Sequence, residues 1–234
     1  MTIYTVDVYV FFANNVNPGE NMKRIKRDLY MANSAWNGCI QFTLKGIFFS
    51  KRNRIINADS IPATNVFKSK LIDDLIRAAR YSNDYKTGIY IFYLNGDYFA
   101  EGRGKKVVGV SGTEMVDIKS STDYEFFGRL LLTDMATGRY TLAHELGHIL
   151  FKRYEARENT FIHSDPSGPY INPRSKRVDP AHNNNRKNLM FPISPSDNPV
   201  ISLKQCQVAK QCKIVKIRMN DFEAVDYLNN LKYF

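Results

Sequence analysis

Residues Thr141 to His148, Thr-Leu-Ala-His-Glu-Leu-Gly-His, contain the pattern His-Glu-x-x-His. On a helix, residues four apart share a face, offset by about 40° and ~6 Å along the axis. His144 and His148 could therefore hold one zinc ion from one side, with Glu145 leaning over the open position. Zinc lowers the pKa of a water ligand towards ~7. A carboxylate beside that water can take its proton, which is the chemistry of metal-assisted hydrolysis. The flanking Leu142, Leu146, Ile149 and Leu150 are apolar, as a helix buried between two lobes requires. The structural alternative is a pair of hydrogen-bonded core histidines.

A catalytic zinc site needs a third protein ligand. The chain has four histidines, which leaves His163 and His182. Both follow the helix, His182 within the polar stretch Asp179–Pro192. Two other candidates are Tyr154, if the helix breaks early, and Glu223 on a late helix with Asp226 as an orienting carboxylate. The ordinary roles of these two are a packed aromatic and a solvated charge.

The elements that must position these residues are legible from periodicity. Ile3–Phe12 reads as a buried strand and Gln41–Phe49 as a second. Between them, Glu20–Trp36 carries Met22, Ile25, Leu29, Ala32 and Trp36 at helical spacing. Phe67–Tyr81 is a second amphipathic helix. Gly88–Leu94 and Lys106–Val110 are short strands, and Lys106–Gly112 is a candidate sheet edge for pairing with a substrate strand. Arg139–Arg157 reads as one long helix. His163–Lys187, rich in Pro, Asn, Ser and Arg, is expected to be irregular. Leu203–Lys210 and Asp221–Leu231 are short helix candidates. An α/β half, a central helix and a loop-rich half imply two subdomains, 1–150 and 151–234, around a cleft.

The chain resembles the metzincin clan of zinc metalloproteases, especially its compact bacterial members. The resemblance rests on His144–His148 and on Asn188-Leu189-Met190, which is similar to the clan's Met-turn, where a methionine packs under the metal site. It extends to Ala32–Phe42, similar to an early helix-to-strand passage, and to Ser202–Gln207, similar to a helix start after the turn. The clan commonly continues His-Glu-x-x-His-x-x-Gly-x-x-His. Here Phe151 stands at the glycine and Tyr154 at the third histidine. Without that glycine the helix is expected to run on through Tyr154 and Glu155. The resemblance then implies His182, six residues before Asn188, as third ligand. It also implies Met190 as support, zinc as the metal, and a zincin-like α/β (α+β) fold with a mixed twisted sheet.

Composition bounds the function classes. Of 234 residues, 44% are hydrophobic and 24% charged, which fits a globular chain rather than a disordered one. No stretch approaches the ~18–20 apolar residues of a membrane span. The net charge of +10 is spread along the chain. Lys23, Arg24, Lys26 and Arg27 form one cluster and Arg103, Lys105 and Lys106 another, without a nucleic-acid-binding motif. They read as a solvated basic surface. Of three cysteines, Cys206 and Cys212 could pair if their segment bends, leaving Cys39 free and structural. The first residues lack a signal peptide's basic region and cleavage site, so the expectation is a cytosolic, unconventionally exported or already processed chain. The favoured reading is a monomeric zinc endopeptidase acting on protein or peptide substrates, with an exported toxin or effector as its expected role. The alternatives are a zinc amidase or deacylase, and a basic polyanion-binding protein with structural zinc.

Overall fold

The computed structural model describes residues 2–50, 55–100, 106–219 and 231–233. The chain opens with strand β1 (Thr2–Ala13), helix α1 (Pro18–Ala35) and strand β2 (Gln41–Phe49). Next come α2 (Lys70–Tyr81) and strands β3 (Ile89–Leu94), β4 (Gly109–Ile118) and β5 (Tyr124–Leu132). Helix α3 (Thr141–Leu150) carries the His-Glu-x-x-His segment. Two hairpins follow, β6 (Arg153–Glu155) with β7 (Thr160–Ile162), and β8 (Tyr170–Ile171) with β9 (Val178–Asp179). Helix α4 (Leu203–Lys210) and strands β10 (Lys216–Met219) and β11 (Leu231–Tyr233) complete the order.

One large mixed sheet runs β11-β2-β1-β3-β5-β4 among the described residues, with β10 beside the first half of β1. β1, β2, β3, β5 and β11 are parallel neighbours, whereas β4 lies antiparallel to β5 at one end. A parallel strand in the middle of such a sheet is buried on both faces and reads as a near-continuous apolar run. β1 does so: Val6, Val8, Val10 and Phe12 face a core shared with α1 and α3, and Tyr9, Phe11 and Ala13 face a second core with α2.

Several expectations need correction. The helix expected over Arg139–Arg157 stops at Leu150. The backbone N–H of Lys152 bonds the carbonyl of Ile149 in a tight last turn, and the Arg153 guanidinium donates to the carbonyls of Phe151 and Ser164 at 3.0 and 2.9 Å. Arg153–Glu155 then pairs as a strand, so the chain turns without a glycine, and Tyr154 packs on Phe161. β4 lies further along than the strand expected over Lys106–Val110, and β5 is an additional strand. The segment 163–187 contains a short hairpin. Cys206 pairs with Cys39, not Cys212, tying α4 to the turn between α1 and β2 with a Cα separation of 5.5 Å. Cys212 is the buried free thiol.

The basic cluster of α1 is only partly solvated. Arg24 donates to the carbonyls of Thr133 and Ala136, at 2.7 and 3.1 Å, and Arg27 pairs with the buried Asp28. Arg24 thereby clamps the connection that leads from β5 into α3. No helix of the described residues is long and apolar enough to cross a membrane. Glu223 and Asp226, and with them most of the helix expected over Asp221–Leu231, lie outside the described residues, as do Arg103 and Lys105. Leu231 itself begins β11.

Candidate metal centre

α3 packs under the sheet with Leu142, Leu146, Ile149 and Leu150 buried, which turns His144 and His148 towards the opposite side. Their rings meet that of His182, with centroids 4.9 to 5.3 Å apart. One nitrogen from each lies within 4.8 Å of the others. The Nε2 atoms of His144 and His148 are 3.2 Å apart. Ligands on a tetrahedral zinc, with Zn–N of about 2.0–2.1 Å, stand roughly 3.3 Å from one another. This pair already has that spacing.

The protonation pattern follows from the acceptors around the rings. His144 Nδ1 lies 2.8 Å from the carbonyl oxygen of Leu189, which can only accept. His182 Nδ1 lies 2.8 Å from Asp179 Oδ2. In both rings Nδ1 therefore carries a proton, which leaves Nε2 as the nitrogen that can serve a metal. Burial holds His144 below the ordinary histidine value. Burial, with the neighbouring imidazoles, holds His148 well below it. Three imidazole nitrogens converging at this spacing fit a divalent cation of zinc's coordination chemistry.

The loop from Asp179 to Met190 supplies several parts of this arrangement. Asp179 ends β9, accepts from the backbone of Ala181 at 3.1 Å and orients His182. The Leu189 carbonyl orients His144. Met190 is buried beneath α3 at Gly147, where an added Cβ would come 3.1 Å from Met190 Cε and 3.4 Å from Trp36. Glycine is thus required there for the methionine to approach. Trp36 also donates its indole N–H to the Ala143 carbonyl at 3.1 Å. The loop is held from behind by a buried polar network. The Gln205 amide donates to Asp165 and to Asn188 Oδ1, each at 2.9 Å, and accepts from Asn188 Nδ2. Asn183, next to His182, donates to the same Asp165 oxygen.

Glu145 points from α3 towards β4. Ser111 Oγ donates to its Oε2 at 2.6 Å, and Gly109 leaves room for its carboxylate. A cleft of about 790 Å³ runs along this side, bounded by Lys106–Val108 and the start of β4 to Ser111, the α3 face, Ala181 and His182, and the 192–196 loop. His163 lines the cleft but is not in the converging group, and Tyr154 is occupied in its hairpin. The structure thus brings His144, Glu145, His148 and His182 to one place with Met190 behind them. Sequence reasoning did not assign the roles of Asp179, the Leu189 carbonyl or the Ser111 side chain. Asp179 had a local signal, an acidic residue three positions before a ligand candidate. The other two depend on contacts across the fold.

No family model matches the chain, and no curated protein matches it. Among solved structures, the chain is similar to metalloproteinase-II from Bacteroides fragilis, with a TM-score of 0.52 and 16% sequence identity. The match covers 89% of this chain and 52% of that one, so the chain spans about half the length of that structure. The likeness is one of fold: a mixed α/β architecture of zincin type.

Proposed function

We propose that this chain is a zinc-dependent endopeptidase, with His144, His148 and His182 as the metal ligands, Glu145 as general base and Met190 as the methionine of a Met-turn. The observation that carries this reading is the convergence of three imidazole nitrogens, two with their tautomers set by acceptors, beside a carboxylate in an open cleft. The metal-binding group among the described residues has three members, which suits an open catalytic position better than a closed structural one. Bound zinc would supply Lewis-acid polarisation of the scissile carbonyl and a more acidic water.

The remaining steps belong to the chain. Glu145 takes a proton from the attacking water and later delivers it to the leaving amine. β4 has no partner on its outer edge among the described residues, so its backbone groups are free to pair with an extended peptide. A cleft of about 790 Å³ bordered by this unpaired edge supports a polypeptide substrate over a small amide. The protein is an exported monomer or a delivered effector; the Cys39–Cys206 bridge supports an oxidising destination.

The test is hydrolysis of unstructured protein and internally quenched peptides by wild type and Glu145→Gln, with zinc measured in both. Glu145→Gln is expected to retain zinc and to lose turnover by roughly 10²–10⁴-fold, the usual worth of a general base. Retained turnover removes Glu145 from this role. Hydrolysis of small acyl amides with no internal peptide cleavage replaces the endopeptidase reading with an amidase.

A further inference from the structure

We propose that Ser111 is a positioning residue for Glu145, fixing from the sheet edge the orientation of the carboxylate that α3 alone leaves free to rotate. The proposal rests on the endopeptidase reading for its kinetic consequence, but its geometric content stands apart from it.

Glu145 follows a ligand on the cleft-facing side of α3, where it is partly buried, and its side chain has several rotatable bonds. Its orientation must be imposed by what it meets. Successive side chains of a strand point to opposite faces, so Gly109 and Ser111 share one face of β4 and Val110 and Gly112 the other. The contacts agree with this division. Val110 packs in the α2-side core, and a Cβ on Gly112 would come 3.0 Å from Phe67 of that core. Gly109 and Ser111 instead meet Glu145. A Cβ at Gly109 would lie 3.0 Å from Glu145 Oε1, 3.1 Å from Cγ and 3.2 Å from Cδ, so the missing side chain makes the slot in which the carboxyl group lies. One pleat further on, the Ser111 hydroxyl reaches Oε2 at 2.6 Å, a short charge-assisted bond. Oε1 has no hydrogen-bond partner among the described residues. One oxygen is thus anchored and the other left for the reaction.

The placement carries a consequence. β4 is the strand whose free edge is offered to the substrate, and it also holds the base. The strand that would seat the peptide and the residue that holds the base are thus one element. A hydroxyl that merely fastens β4 to α3 would contribute to stability and leave the chemical step alone.

The experiment compares wild type, Ser111→Ala and Ser111→Thr by crystal structures with and without zinc, by zinc content and melting temperature, and by kcat and KM on an internally quenched peptide. In wild type the Ser111 hydroxyl should lie within hydrogen-bond distance of Glu145, and in Ser111→Ala the carboxylate should rotate or spread over several positions. Ser111→Ala should lower kcat by roughly tenfold or more, as small misplacements of reacting groups do. KM and zinc content should be unchanged, the pattern of an interaction felt in the transition state. Ser111→Thr, which restores a hydroxyl at the same place, should recover most of the loss. An unmoved Glu145 in Ser111→Ala overturns the proposal. So does an equal loss in Ser111→Thr accompanied by a lower melting temperature. Absence of peptide hydrolysis by zinc-loaded wild type would reject the endopeptidase reading, and the crystal comparison would still decide the role of Ser111.

Discussion

At Asp179 and Leu189, two acceptors decide which nitrogen of each histidine is available. A carboxylate and a carbonyl cannot donate, so the protons of His182 and His144 are drawn to Nδ1, and Nε2 faces the shared centre. Such partners tune metal affinity by holding the ring in place and making its other nitrogen more basic. Asp179→Ala is therefore expected to weaken zinc binding by roughly 10–100-fold. Competition with a chromogenic chelator measures this, and an unchanged affinity would mean that the loop alone fixes His182. At this scale the sequence was informative where spacing is local. His144, Glu145 and His148 are written within one helical turn. Ser111 could not be assigned in the same way, because nothing in its neighbours shows that the strand will face Glu145.

Among the elements, α4 has a larger part in the site than its length indicates. Ser202 and Gln205 form a capping box at its start, and the same Gln205 side chain holds Asn188 and Asp165 in a fully buried network. The helix start thus fixes the turn that carries Met190 and the loop that carries His182. Gln205→Ala would leave the amide and carboxylate groups it serves without a partner, at a cost of roughly 1–3 kcal/mol. A lower denaturation midpoint together with weaker zinc binding is the expected outcome, and a loss of stability with zinc affinity intact would confine the network to the fold. β1 and β2 could be read directly because burial on both faces writes a continuous apolar run. β5 could not, because Gly128 and Arg129 interrupt its apolar residues and glycine weakens a strand signal. The end of α3 was equally hidden. It depends on Arg153 reaching Phe151 and Ser164 and on the pairing of β6 with β7, contacts that no local pattern announces. The partner of Cys206 lies 167 residues away, beyond what spacing can indicate.

Across the whole molecule, the sheet joins the two halves of the chain, since β10 returns to β1 and β11 to β2. Its buried polar groups give stability a pH dependence. Burial pushes the Cys212 thiol up to about 12 from 9.0, and burial with the nearby Asp7 charge pushes the Tyr9 phenol up to about 12 from 10.0. Both groups stay neutral in the folded state after they would ionise in the unfolded chain. The folded state then binds more protons, so stability falls as pH rises. The contribution is complete below pH 9 and is lost as pH climbs from there to about 12. A melting-temperature series should fall across that range, with Cys212 alkylated only as the protein unfolds, and a flat series would contradict the burial of these groups. The metal would join the halves a second time, because His144 and His148 lie on α3 and His182 lies beyond β9. The most direct measurement is therefore the zinc content of purified wild type, His182→Ala and His163→Ala after dialysis against a weak chelator. Stoichiometric zinc in wild type and in His163→Ala, with loss in His182→Ala, is the predicted result. Zinc retained by His182→Ala and lost from His163→Ala, or a folded wild type that holds none, would contradict it.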